Sequence, residues 1–219
     1  MVWAQFIAAY FIHIPMVMLT YAIHSIPLRK NKHQIFLIGI VLGIVYYYTR
    51  YIVDTPFYPL IVLSFFIVLI MGVRRYPIFY CFLICTMGYI SGVFTDLLVS
   101  AFLQYILHIS PFPEKTSVKS FLFMNSLFVL FASITAFLLR RYKIGFAFVI
   151  KRFRINQVLS NSNYYWAGFL FCGLMITQGT VNSIAWHAMV INMVILLGIL
   201  LVSYHYNKKA RVERFGDNV

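Results

Sequence analysis

Acidic residues are what this chain has least of. Five Asp and Glu stand among 219 residues, against 18 Lys and Arg, and charged residues of both signs make up 11%. A soluble domain is about a quarter charged. With so little charge the surface could not be kept wet, which excludes an ordinary soluble enzyme, a disordered tail and a free nucleic-acid binder. Cysteine is scarce as well: Cys81, Cys85 and Cys172 all lie inside apolar runs. An odd number without framework spacing excludes a disulfide scaffold, and no second Cys or His pair completes a structural zinc site. HExxH, GxSxG and P-loop signatures are absent, and no two acids are adjacent. That removes zinc peptidases, serine hydrolases, P-loop nucleotide hydrolases and glutamate-pair peptidases. A thiol dyad of Cys81 or Cys85 with His24 has nothing nearby in sequence to lower the thiol pKa. The sequence predicts no catalysis, no metal site and no cofactor.

What the chain has is apolar mass. It is 62% hydrophobic and 19% aromatic, with a mean hydropathy of +0.85. About 20 apolar residues cross a hydrocarbon core as a helix. Stretches 3–24, 34–52, 58–73, 77–109, 118–139, 164–181 and 184–206 qualify or nearly so. The expected fold is an all-α integral membrane protein, a bundle of seven transmembrane helices, or six if the turn between the last two stretches is re-entrant. The third stretch is short. The fourth is longer than a span needs, so it is tilted, kinked or continued beyond the bilayer. The first is too long for a signal-peptide core and has no basic region before it, so it reads as a retained span. Residues 1–207 form the predicted transmembrane domain and 208–219 a short basic tail.

The cations alternate between connections. All 18 Lys and Arg except Arg50, Lys115 and Lys119 fall in the first, third and fifth connections or in the tail. For seven spans the positive-inside rule puts the N-terminus outside and the C-terminus in the cytoplasm of a cell membrane. Trp3, Tyr47, Tyr51, Tyr105 and Trp186 then fall near the outer boundary, at the depth amphipathic rings prefer. The long fifth connection mixes six basic residues with Ile144, Phe146, Phe148 and Phe153, as either an interfacial amphipathic segment or a basic loop with apolar anchors.

Among the acids only Asp96 lies within a predicted span. A carboxylate there costs several kcal/mol unless paired, protonated or solvated. Counted from Pro77 along a straight helix it lies about 28 Å in, near the outer edge of a core roughly 30 Å thick. Arg50 is also near the outer end of its span. Two readings follow: an ion pair that orients the second and fourth helices, or polar contacts in a pocket that opens outward. Gln178 and Asn182, with His187, Asn192, Asp54, Gln104 and His108, extend a polar outer mouth. Asp96, Arg50, Gln178 and Asn182 are the candidate ligand-binding residues. Cys81, Cys85, Gly88, Gly92 and Asp96 share one face of the fourth helix, a small-residue stripe suited to close packing. Gly88 and Gly92 also suit a homodimer.

The segments YPLIVLSFFIVLIMGVRRYPIFYCFLICTMGYISGVFTDLL (58–98) and SVKSFLFMNSLFVLFASITAFLLRRYK (117–143) carry a resemblance. With the order of short and long spans, they resemble the membrane sensor half of peptide-quorum-sensing receptor histidine kinases of the accessory-gene-regulator receptor type. That resemblance covers nearly the whole chain. It implies a short third span, a tight basic turn, a long fourth span and a greasy basic loop before the last two. It also implies a small extracellular peptide ligand, two-component signal transduction and a cytoplasmic signalling partner. Such receptors continue into a kinase, whereas this sequence ends at Val219, and His205 in SYHYNKK lacks the following Asp of a phospho-acceptor. The expectation is a multi-pass signal receptor, as a fragment or a kinase-less relative, that phosphorylates nothing itself. The alternative is the substrate-binding membrane subunit of a vitamin-type transporter, with Ala4 and Ala8 as a small-residue face for docking a partner. The bilayer is a partner in either case, and nucleic acid in neither.

Overall fold

The computed structural model describes residues 2–106, 108, 118–142, 194, 198 and 201. Within them the chain is all-helical: α1 (Val2–Ile23), α2 (Lys32–Tyr47), α3 (Tyr58–Arg74), α4 (Ile78–Ile106) and α5 (Val118–Arg141). A short 3₁₀ turn, Arg29–Asn31, leads into α2, and a π-helical turn, Tyr48–Ile52, ends it. The five helices match the first five predicted spans in order. The sixth and seventh, the fifth connection and the tail lie outside the described residues, as do Cys172, Gln178 and Asn182. Among the described residues, four helical stretches are long and apolar enough to cross a membrane: Val2–Ile23, Arg29–Ile52, Ile78–Leu103 and Phe121–Arg141. α3 is apolar but shorter, at 17 residues or roughly 26 Å.

Large apolar side chains point outward throughout. Phe36, Leu37, Phe65, Val68, Phe123, Leu130, Ile134 and Phe137 are exposed, as a surface solvated by lipid tails requires. The backbone is satisfied within each helix, and side-chain hydroxyls bond back onto it. Thr20, Ser91 and Thr95 donate to the carbonyls four residues earlier, at 2.8 to 2.9 Å. Such local bonds are how polar side chains are accommodated in hydrocarbon.

α1 packs against α2, α4 and α5, and the chain closes around it through α2–α3, α3–α4 and α4–α5 contacts. Glycines set the spacing. A Cβ on Gly39 would stand 2.9 Å from the Ile14 Cα, and one on Gly43 2.9 Å from the Ala9 carbonyl oxygen. On α4, a Cβ on Gly88 would collide with Thr20, and one on Gly92 would come within 3.2 Å of the Met16 side chain. The Gly88–Gly92 face is therefore taken up inside the chain, against α1. Both pairings run antiparallel. Cys81 and Cys85 are fully buried in the core beside Tyr21, Phe66 and Tyr89.

Three helix ends are closed by non-glycine residues with positive φ: Ser25 (54°), Asp54 (49°) and Arg75 (53°). After α1, Ile26 N–H donates to the Tyr21 carbonyl at 2.8 Å and Ser25 N–H to that of Ala22 at 3.0 Å, a Schellman closure. The up-and-down order gathers the C-terminal ends of α1, α3 and α5 with the N-terminal ends of α2 and α4. Arg29, Lys30, Lys32, Arg74, Arg75, Arg140 and Arg141 stand at that end. No Asp or Glu joins them among the described residues. Arg50, Asp54 and Lys119 stand at the other.

Candidate functional site

Arg50 is placed by a backbone irregularity. The Val53 N–H skips a residue and donates to the Tyr48 carbonyl at 2.9 Å, five positions back. This widened turn carries Arg50, and the buried Thr49 supports it by donating to the Val45 carbonyl at 2.8 Å. Single π turns cost backbone geometry and occur often at functional sites. The turn beyond it reverses the chain at Asp54 and starts α3 at Tyr58, with Pro59 preorganising the first helical turn. The result sets the Arg50 guanidinium over the Tyr58 ring, 4.8 Å from its centroid. A cation–π contact of this kind contributes about 0.5–2 kcal/mol depending on desolvation.

Tyr58 belongs to a continuous aromatic cluster. Its ring lies 5.4 Å from Tyr46, which lies 5.9 Å from Tyr51 and 4.9 Å from His13. Tyr51 meets Tyr47 at 5.7 Å, and Tyr47 meets Phe6 at 5.2 Å. The edge-on and tilted geometries are those that aromatic quadrupoles favour. His13 is held in place by its Nδ1–H, which donates to the Ala9 carbonyl at 2.7 Å. The cluster thus ties α1, α2 and α3 together at the end that carries Arg50.

Asp96 approaches the same cluster from α4. It is exposed while its neighbours Thr95 and Leu97 are buried. Asp96 sits two turns beyond Tyr89 on one face of α4, and its charge acts on the hydroxyls of Tyr89 and Tyr58. The Arg50 charge acts on Tyr58 too, and on Tyr46 and Tyr51.

Of the four sequence candidates the structure relates two, Arg50 and Asp96. Gln178 and Asn182 lie outside the described residues. The direct ion pair that one sequence reading expected is not seen: Asp96 has no hydrogen-bonding or ionic partner among the described residues, and Arg50 stacks on Tyr58. Gly92 faces Met16, so one further antiparallel turn brings Asp96 level with Ile12 and His13, near the middle of α1. α4 itself, with 29 residues, is longer than one span needs.

The rest of the arrangement was not singled out in the sequence. Tyr46, Tyr58, Tyr89 and His13 were hidden by the general abundance of aromatics, although Tyr89 precedes Asp96 by seven residues, a same-face spacing. Elsewhere, no group of three or more His, Cys, Asp or Glu suited to a metal ion occurs among the described residues. The Cys81 thiol donates to the Tyr76 carbonyl at 3.5 Å, and His24 reaches the backbone of Ile84, which ties these groups to the main chain. No protein-family model, curated protein or solved structure matches this chain.

Proposed function

We propose that this chain is a multi-pass membrane signal receptor that binds a small extracellular ligand between Arg50 and Asp96. It is a seven-helix sensor with the N-terminus outside and the basic end in the cytoplasm, and it relays occupancy to a cytoplasmic partner. The observation that carries the reading is the pairing of an exposed Asp96, without a partner among the described residues, with Arg50 stacked on Tyr58. A carboxylate within a membrane helix is too costly to serve as ornament. Here its charge reaches the hydroxyls of Tyr58 and Tyr89, and Arg50 reaches Tyr58 from the other side, so a ligand with apolar bulk and separated polar ends would meet matching groups. A short or modified peptide has that character, and Gln178 and Asn182 would extend the polar lining. The concentration of cations at one end, without acids among the described residues, supports the proposed orientation.

Signalling requires the ligand to prefer one of two helix arrangements. Ligand that bridges α2, α3 and α4 would change their packing on α1, whose cytoplasmic end leads into the basic connections. Photocrosslinking of a labelled peptide to intact cells tests the reading, with Asp96→Asn as control. Saturable crosslinks to α2, α3 or α4 that weaken in the variant are expected; crosslinks confined to cytoplasmic connections reject it. Copurification of an ATPase module would instead favour a substrate-binding transport subunit. Ala8, offered in the sequence as part of a docking face for such a module, is buried within the chain's own packing.

A further inference from the structure

At the end of the bundle opposite Arg50, one arginine behaves unlike the others. Arg29, Lys30, Lys32, Arg75, Arg140 and Arg141 are exposed, as snorkelling cations are. Arg74, in the last turn of α3, turns inward instead. Its guanidinium lies over the Tyr21 ring, 5.2 Å from the centroid. Its Nε and Nη2 atoms are buried and have no hydrogen-bond partner among the described residues. The hydroxyl of Tyr21, a fully buried residue, makes no well-aligned hydrogen bond there either, and the Arg74 guanidinium is the polar group that acts on it most.

The identity of the two nitrogens matters. Nε–H and Nη2–H point the same way and form the side edge of the guanidinium, the fork that grips two oxygens of one carboxylate or phosphate. Arginine cannot shed its proton to escape the cost of burial. The acids of the described part cannot answer it: Asp54 is at the far end of α3, and Asp96 lies on the opposite half of α4. The Arg74 side edge and the Tyr21 hydroxyl therefore lie together at the C-terminal ends of α1 and α3, with no anionic acceptor beside them among the described residues. This end is also the level where a membrane helix meets lipid headgroups.

We infer that Arg74 and Tyr21 form a binding site for a phosphate oxyanion, held by the Arg74 Nε/Nη2 fork and the Tyr21 hydroxyl. The site is separate from the Arg50–Asp96 recess and does not depend on its function. The position at headgroup level favours the phosphodiester of an anionic lipid, although free phosphate offers the same oxygens. Tyr76 and Cys85 neighbour Tyr21 there, so the α3–α4 turn is the element that must shift to admit the anion.

The test is thermal unfolding of the full chain in an uncharged detergent and a phosphate-free buffer. Short-chain phosphatidylglycerol, diacylglycerol without phosphate, inorganic phosphate and an acidic peptide are titrated separately. Saturable stabilisation by phosphatidylglycerol but not diacylglycerol is expected, with half-saturation raised tenfold or more by Arg74→Lys, which keeps charge but loses the fork. Arg75→Lys should change it less than twofold. Tyr21→Phe, which conserves packing and charge, should raise it several-fold and serves as the test if Arg74→Lys does not fold. Saturation by inorganic phosphate as well identifies a free anion as a sufficient source; saturation by lipid alone identifies the headgroup. Failure of both phosphate ligands, equal effects of Arg74→Lys and Arg75→Lys, or a response to the acidic peptide alone would overturn the site.

Discussion

The molecule contains two arginine–tyrosine pairs, one at each end, and their settings differ. Arg50 stacks on Tyr58 at 4.8 Å on a π-helical turn, half-buried, with the Asp96 charge acting on the same tyrosine. Arg74 stacks on Tyr21 at 5.2 Å at the end of a regular helix, with two buried nitrogens unpaired and no acid beside it among the described residues. The contact is the same, but its surroundings set its use. The first pair shares Tyr58 with the charge of an exposed acid, which is why the proposed ligand has two polar ends. The second presents a buried, unpaired guanidinium edge with no acid near it among the described residues, which is why the proposed ligand there is an anion. An arginine in a membrane helix is therefore read from which of its nitrogens are covered and from what shares its ring, more than from its place in the sequence.

The comparison depends on α1 keeping its register against α2 and α4, so the largest effect is expected from breaking that register. Gly43→Leu would drive a side chain into the Ala9 and Tyr10 backbone, and Gly88→Leu into Thr20. Overpacking of this kind costs about 1–3 kcal/mol and more where backbone must move. Both variants should lose most folded protein in a detergent thermal-stability assay. Gly72→Leu, with nothing within 4 Å of its Cβ, should be neutral or slightly stabilising.

Next in size is the separation of binding from stability at the Arg50 end. Asp96→Asn and Arg50→Gln should each weaken ligand crosslinking by at least tenfold, equivalent to about 1.4 kcal/mol. Folding should change little: Asp96 has no partner to lose among the described residues, and Arg50 loses one ring contact worth about 1 kcal/mol. A loss of fold equal to the loss of binding would make the recess structural and remove the contrast between the two ends.

The mirror experiment is Arg74→Met. An apolar side chain of similar length removes a buried unpaired charge, so stability without phosphate should be unchanged or raised, by up to about 1–4 kcal/mol. A large loss without phosphate would mean that Arg74 already has its partner within the chain. The smallest effect is expected from Tyr58→Phe. It keeps the ring under Arg50 and removes only the hydroxyl on which both charges act, so stability should shift by less than about 1 kcal/mol. Binding should fall measurably, and an unchanged affinity would take the Tyr58 hydroxyl out of the site.

Much of the fold was legible because lipid-solvated helices declare themselves through apolar length. The stretch 3–24 became Val2–Ile23, 58–73 became Tyr58–Arg74 and 118–139 became Val118–Arg141. The stretch 34–52 was found whole, but nothing in YYYTRYI announces that its last turn is π-helical, since that depends on how α2 meets α3 and α1. The small stripe on α4 was read correctly as packing for Cys81, Cys85, Gly88 and Gly92, all buried. Its extension to Asp96 broke down, because that residue lies past the close contact with α1 and is exposed. Gly39 and Gly43 went unremarked although they set the α1–α2 spacing. Arg74 was counted among loop cations, because charge tallies see position along the chain and not the direction a guanidinium takes. The tyrosines of the site were invisible for a related reason: with 16 tyrosines in the chain, only geometry distinguishes those that meet.

The central claim is that Asp96 lines a recess open to the side opposite the basic end. Its most direct test is thiol labelling of Asp96→Cys in a parent carrying Cys172→Ala, where Cys81 and Cys85 are 0% exposed and serve as silent background. A small membrane-impermeant maleimide added to intact cells should label Asp96→Cys well above the parent, with Arg50→Cys labelling faster still. Labelling of Asp96→Cys only after the cells are permeabilised, or in neither condition, would contradict the account.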